Sequence, residues 1–235
     1  MDRRCIALVP AAGRGQRMGS GIPKQFLTLG GLPILVHSLR VLEAAASVAE
    51  VILAVSAVDR EYCLREIVTP HGFTKVRKIV TGGEHRQDSV RHGLEGITDD
   101  TEVVLVHDAV RPFLTADMVE QVIARAAQHG AAVVAIPMRD TVKQAGADGL
   151  IESTVDRHGL WLAQTPQAFR LTLLREAHRK ALLERFHATD DAQLVERLGH
   201  RVALVEGSGQ NIKITRPEDL ALGEAILAAR RVRNG

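Results

Sequence analysis

Cys5-Ile6-Ala7-Leu8-Val9-Pro10 runs without a break into Ala11-Ala12-Gly13-Arg14-Gly15-Gln16-Arg17-Met18-Gly19, and Pro23-Lys24-Gln25 follows shortly after. An unbroken apolar run of strand length that ends in a glycine-rich loop reads as a strand buried on both faces, with its carboxyl end opening onto a ligand. Outward from it the same rhythm repeats. Val51–Val55, Val76–Val80, Val103–His107 and Ala132–Ile136 are further strands by this criterion. Ile34–Leu42, Asp59–Val68, Arg86–Leu94 and Thr115–His129 carry apolar residues at helical spacing, and Thr115 with Asp117 makes an N-terminal cap for the last. Strands and helices in alternation predict an α/β fold around a doubly wound, mostly parallel sheet.

The rhythm breaks after Pro137. Thr141-Val142-Lys143, the turn-rich Gly146-Ala147-Asp148-Gly149 and Leu150–Val155 predict a hairpin or arm outside the main sheet, within about 139–168 of a chain otherwise read as a single domain, 1–235. Regular spacing resumes with a helix at Leu171–Glu184 and a short one at Asp190–Leu198. A strand at Arg201–Val205, a strand-like Asn211–Thr215 and a helix from Pro217 to Arg230 complete the chain.

Composition narrows the function classes. The chain has 235 residues, 46% of them hydrophobic and 25% charged, and its 30 Lys and Arg against 28 Asp and Glu leave a net charge of +2. So small and dispersed a surplus argues against a nucleic-acid or membrane surface. No apolar run approaches the roughly 20 residues that span a bilayer, and Met-Asp-Arg-Arg-Cys at the start is neither a signal nor a transit segment. Cys5 and Cys63 form no CxxC pair, which suits a reduced, cytoplasmic protein. The ten histidines show no metal-ligand spacing, and the end at Gly235 is expected to exclude a fused second enzyme.

In an open α/β sheet the loops after the strands hold the chemistry. The first loop can turn backbone N–H groups onto phosphate oxygens, with Arg17 and Lys24 adding positive charge. It is not the dinucleotide fingerprint, because Met18 stands where GxGxxG needs its third glycine, and it lacks the Gly-Lys-Ser/Thr of the P-loop. A second strand end, Val103-Val104-Leu105-Val106-His107-Asp108-Ala109-Val110-Arg111-Pro112, delivers an acid and then a base, fit to hold a magnesium ion or hydroxyl and a phosphate. A third loop, Thr81-Gly82-Gly83-Glu84-His85-Arg86-Gln87-Asp88-Ser89, could read a base edge. Taken singly, the three also fit a flexible turn, a strand-end ion pair and a helix cap. Lys213, flanked by apolar residues in Asn211-Ile212-Lys213-Ile214-Thr215, stands where a purely solvated lysine is uncommon.

Taken as an ordered set, these segments resemble the 2-C-methyl-D-erythritol 4-phosphate cytidylyltransferase family. The resemblance runs from Leu8 to Leu222. It is carried by Pro10-Ala11-Ala12-Gly13 with Arg17-Met18, Pro23-Lys24-Gln25, Arg86 with Asp88-Ser89-Val90, and Val106-His107-Asp108-Ala109 with Arg111-Pro112. Further along it rests on Asp140-Thr141-Val142-Lys143, Thr154-Val155-Asp156-Arg157, Thr165-Pro166-Gln167 and Asn211-Ile212-Lys213-Ile214-Thr215. Val110 replaces a residue usually small in the family, and Glu84 stands where aspartate is frequent.

The resemblance implies a Rossmann-like sheet of the nucleotidyltransferase type with a protruding β-arm, and a homodimer formed through that arm. It implies attack by a sugar-alcohol phosphate on the α-phosphorus of CTP, releasing pyrophosphate, in non-mevalonate isoprenoid synthesis. A sister enzyme acting on D-ribitol 5-phosphate is the alternative. By resemblance, Ala11, Ala12 and Gly13 make backbone contacts to CTP, Arg17 and Lys24 bind its triphosphate, and Gly83, Glu84, Ser89 and Ala109 line the nucleotide site. Asp108, Arg111, Thr189 and Lys213 meet the acceptor, while Thr141 and Arg157 complete the partner's acceptor site. Arg17, Lys24 and Lys213 are then the catalytic charges, with magnesium (Mg2+) or another divalent ion carried mainly on the CTP triphosphate and no metal-binding residues expected. Such chemistry needs positioning and charge neutralisation more than covalent help. It needs no general base, since a phosphate monoester with a second pKa of about 6 is already largely ionised.

Overall fold

The computed structural model describes residues 5–13 and 22–234. Arg17, with the rest of residues 14–21, lies outside them. In chain order the strands are β1 (Cys5–Ala11), β2 (Thr28–Leu29), β3 (Leu32–Pro33), β4 (Val48–Val55), β5 (Val76–Thr81), β6 (Val103–Val106), β7 (Ala131–Pro137), β8 (Val142–Ala145), β9 (Ile151–Val155), β10 (Trp161–Arg170) and β11 (Ala203–Glu206). The helices are α1 (Ile34–Ala44), α2 (Arg60–Tyr62), α3 (Arg86–Glu95), α4 (Ala116–His129), α5 (Leu171–Glu184), α6 (Asp191–Glu196) and α7 (Pro217–Asn234).

Seven strands form one sheet in the order β11-β7-β10-β6-β1-β4-β5. All pair in parallel except β10, which is antiparallel to both β6 and β7. The chain moves from β1 outward to β4 and β5, then returns to lay β6 on the other side of β1. That reversal leaves a crevice at the carboxyl ends of β1 and β6, where open α/β sheets place their ligands.

Alternation along the central strands explains why both faces are covered. In β1, Cys5, Ala7, Val9 and Ala11 face the core beneath α1 and α4, whereas Ile6 and Leu8 face α3, α5 and α6. Strands buried on both sides need no polar face, which is why β1, β4, β6 and β7 read as continuous apolar runs. Gly93 lets α3 lie directly on β1, since a Cβ there would come within 2.4 Å of a Leu8 methyl. A third cluster, with Leu29, Ile34, Phe113 and Ile214, packs beneath α7.

Four expectations are corrected. β5 is partly exposed, because it is an edge strand with no neighbour beyond it in the sheet. The predicted helix at Asp59–Val68 is a 3-10 turn, the short α2 and a π turn at Cys63–Val68. Asn211–Thr215 joins no ladder; Ile214 N–H donates to the Val110 carbonyl at 2.9 Å, and polar side chains hold the rest. The arm is also narrower than 139–168, because residues from Trp161 onward pair with β7 and β6 and belong to the main sheet. What projects is the β8–β9 hairpin. No helix of the described residues is long and apolar enough to cross a membrane.

Candidate active site at the switch point

Two connected lobes open at the carboxyl ends of β1 and β6. The first is lined by Ala11, Ala12 and Gly13 at the end of β1, by Lys24, by Gly83, Glu84 and Ser89 before and within α3, and by Ala109. The second is lined by Arg111, Thr165, Gln167, Thr189 and Asp190. Arg86, Asp108 and Lys213 line both lobes, forming a ridge between them.

Local structure explains each placement. Lys24 begins a 3-10 turn, and the buried Gln25 beside it donates to the Ala11 carbonyl at 2.6 Å, tying that turn to the end of β1. The lysine side chain consequently runs past Gly13, whose added Cβ would sit 4.0 Å from its Cε. At Gly82 a Cβ would fall 2.5 Å from the Ala12 Cβ, and at Gly83 one would fall 2.2 Å from that of Asp88, so neither backbone position accepts a side chain without rearrangement. Ser89, expected at the base, spends its hydroxyl on the loop: it accepts from Gly83 N–H at 3.1 Å and donates to the His85 carbonyl at 3.2 Å. The first turn of α3 borders this lobe and is closed by a capping box, in which His85 N–H donates to the Asp88 carboxylate at 3.2 Å and the His85 side chain takes the Asp88 N–H.

The ridge is a charge network. Asp108 accepts from Arg86 Nε at 2.6 Å on one oxygen and from Lys213 Nζ at 2.7 Å on the other. Burial alone would raise its carboxyl pKa, but the two cations hold it well below the usual carboxylate range. Arg86 also meets the buried Asp191 at 2.7 Å, and the two carboxylates keep the guanidinium charged against the cost of its own burial. Arg111 donates to the Asn211 carbonyl at 2.7 Å, while its Nε is buried without a hydrogen-bond partner among the described residues. This bond, with the Ile214 to Val110 bond, brings Lys213 beside Asp108. Lys213, Asp108 and Arg111, all expected at the acceptor, thus lie together around the second lobe. Arg86 carries the resemblance without an assigned role, and its partner Asp191, in the Thr189-Asp190-Asp191 run, lies 105 positions away, where spacing alone does not pair the two.

β10 supports the ridge from behind. Its pairing with β7 shifts register between Ala163 and Gln167, and there Thr165 accepts from Asp108 N–H at 3.0 Å and donates to His107 Nδ1 at 3.2 Å. His107 Nε2–H donates in turn to the Arg111 carbonyl at 3.1 Å, which places the proton of the neutral ring on Nε2. Burial lowers the His107 pKa from 6.5 to about 4. A folded value below the unfolded one stabilises the protein fully above about pH 6.5, and this contribution is lost as pH falls toward 4. At ~1.4 kcal/mol per tenfold change in proton affinity it amounts to roughly 3 kcal/mol. Unfolding free energies measured from pH 7 to pH 5 should therefore fall in the parent and flatten in His107→Asn; an unchanged slope in the variant assigns the loss to another group.

Thr141 and Arg157 line neither lobe. Thr141 precedes β8 and Arg157 follows β9, where its guanidinium donates to the Arg139 carbonyl. Among the described residues no three His, Cys, Asp or Glu side chains are grouped to hold a metal ion.

Comparison with known proteins places this geometry in context. A sequence model of the 2-C-methyl-D-erythritol 4-phosphate cytidylyltransferase family matches residues 5–229. Curated relatives of that name include proteins from Pelotomaculum thermopropionicum, 49% identical over 99% of this chain and 98% of the relative, and from Geobacter metallireducens, 50% identical over 94% and 97%. Similar solved structures include 4-diphosphocytidyl-2C-methyl-D-erythritol synthase from Anaerococcus prevotii, with TM-score 0.86 and 30% identity over 97% of each chain. Another is 2-C-methyl-D-erythritol 4-phosphate cytidylyltransferase from Thermus thermophilus, with TM-score 0.77 and 39% identity over 94% of this chain and 97% of that one.

Proposed function

The chain belongs to the 2-C-methyl-D-erythritol 4-phosphate cytidylyltransferase family, and from that premise we propose that its cleft joins CTP to 2-C-methyl-D-erythritol 4-phosphate, giving 4-diphosphocytidyl-2-C-methyl-D-erythritol and pyrophosphate. This reaction belongs to non-mevalonate isoprenoid synthesis, here assigned to the cytoplasm. The observation that carries the reading is the pair of lobes meeting at a ridge that bears Arg86, Asp108 and Lys213. CTP occupies the first lobe, with its phosphates over Ala11, Ala12 and Gly13. The acceptor occupies the second, with its hydroxyls toward Asp108 and its phosphate toward the junction.

An oxygen of the acceptor phosphate attacks the α-phosphorus, the bond from that phosphorus to the bridging oxygen breaks, and pyrophosphate leaves with the electron pair. Lys24 neutralises charge on the triphosphate as it shifts to the leaving group, a task suited to a mobile point charge. Arg17 is assigned a forked contact to the same oxygens. Lys213 offsets charge on the approaching phosphate, while its bond to Asp108 holds it in place. Each Asp108 oxygen already faces a cation, which disfavours a third cation there while leaving lone pairs for a hydroxyl, so the site suits magnesium carried by the triphosphate. When bound, that ion supplies further neutralisation of the phosphate oxygens.

A homodimer through the arm is part of the proposal. It is supported by Leu150 and Ile151 on the hairpin, 68% and 65% exposed, and by the exposed Trp161 and Leu162 beside it. Thr141 and Arg157 would then serve the acceptor site of the partner. No observation favours D-ribitol 5-phosphate, and the relatives named above are all methylerythritol phosphate enzymes or synthases of its CDP product. Pyrophosphate release with magnesium and CTP, measured in parallel for the two polyol phosphates, tests the reading. A strong preference for 2-C-methyl-D-erythritol 4-phosphate is expected; CTP binding without turnover of that acceptor overturns it.

A further inference from the structure

The ridge is one end of a longer chain of paired polar side chains that reaches into the protein away from the cleft. Asp191, 1% exposed on α6, accepts from Arg86 Nη1 at 2.7 Å on one oxygen and from His178 Nε2 at 2.9 Å on the other. His178 is buried on α5. The order is His178, Asp191, Arg86, Asp108, Lys213, and neither His178 nor Asp191 lines a lobe.

A second buried carboxylate is an expensive way to neutralise one guanidinium, because burying each ion costs several kcal/mol before any pairing is counted. Its use is geometric. Arginine presents a rigid planar fork, so bonds from Nε to Asp108 and from Nη1 to Asp191 fix both the plane of the group and the direction from which Asp108 is held. A lysine could neutralise the carboxylates, but as a point charge without a fixed plane it would not set that direction. The next residue extends the clamp: Gln87 donates to the Phe186 carbonyl at 3.0 Å and accepts from Ala188 N–H at 2.9 Å. The first turn of α3 thus holds the loop bearing Thr189 in register with Asp108.

We propose that Arg86 is a positioning residue for the acceptor lobe, and that the buried Asp191 and His178 pair aims it, so that two side chains outside the cleft set how well the polyol phosphate is bound. This rests on assigning the second lobe to the acceptor.

Asp191→Asn and Arg86→Lys test it, with pyrophosphate release measured as each substrate is varied and thermal melting followed alongside. Asparagine keeps an oxygen for Arg86, and His178 can accept its amide by moving the ring proton to Nδ1, a buried atom with no hydrogen-bond partner among the described residues. In both variants KM for 2-C-methyl-D-erythritol 4-phosphate should rise about tenfold while KM for CTP stays within about twofold. An unchanged acceptor KM, equal rises for both substrates, or loss of the fold in both variants overturns the proposal. If the parent protein itself turns over no 2-C-methyl-D-erythritol 4-phosphate, the proposed function fails first and takes this inference with it.

Discussion

Lys24→Ala is expected to lower kcat by about a thousandfold, with melting temperature and KM for CTP much less affected. Removing a group that meets charge as it develops in the transition state typically costs about 10²–10³ in rate. The variant keeps the Gln25 bond to the Ala11 carbonyl and Phe26 in the core, both of which hold the turn, so the fold should persist. Steady-state and single-turnover pyrophosphate release separate the two effects, and near-normal turnover sinks the assignment. The same variant tests the arm. Mixed with Arg157→Ala subunits, it should regain partial activity, since in a shared-site dimer one of the two sites keeps both residues. No regain after verified subunit exchange would return Arg157 to its own subunit or remove it from the reaction.

Asp108→Ala should be the change most damaging to stability, and it should impair activity as well. It strands two cations at a buried position, and breaking a buried pair costs about 3–5 kcal/mol. Arg86 keeps Asp191 and Lys213 is 38% exposed, which places the loss toward the lower end, about 3 kcal/mol. At ~2–4 °C per kcal/mol for a domain of this size, melting should fall by roughly 10 °C. Activity should drop at least a hundredfold, because Lys213 loses its anchor and the acceptor its hydroxyl partner. The pH dependence carries the same sign. A carboxyl held below its ordinary value stabilises the fold above about pH 4 and loses that contribution as pH falls further, so the variant should narrow its gap to the parent in strong acid. A melting temperature equal to that of the parent at pH 7 would show that the ridge contributes nothing to stability.

The parts legible in the sequence share a physical cause. β1, β4, β6 and β7 are buried on both faces, so they are written as uninterrupted apolar runs, and α4 announces itself through Thr115, whose side chain accepts from Met118 N–H. β10 was hidden by its own job. Gln164, Thr165, Pro166 and Gln167 look like turn residues, and proline within a central strand argues against a strand at all. They are tolerated because the register shifts there and their side chains bond Asn211, His107 and Asp190 instead of packing in a core. Asn211–Thr215 erred in the opposite direction: its alternating apolar residues imitate a strand, but they serve the cluster beneath α7. Among site residues, short-range motifs pointed to Lys24, Asp108, Arg111 and Lys213. Arg86 bridging Asp108 and Asp191 was not legible, because pairing across 105 positions is a property of topology rather than of spacing.

The ridge between the lobes also dictates what an inhibitor would have to look like. Tight small-molecule ligands usually place an apolar body at the centre of the pocket and polar groups at its edges. Here the middle of any compound spanning both lobes lies over Arg86 and Lys213, whose hydration it would strip. Such a compound needs its anionic or strongly accepting group at the waist and its bulk at the ends, a pattern that trades membrane permeability for affinity. A scaffold confined to one lobe escapes that demand, but it gives up contact with whichever substrate occupies the other.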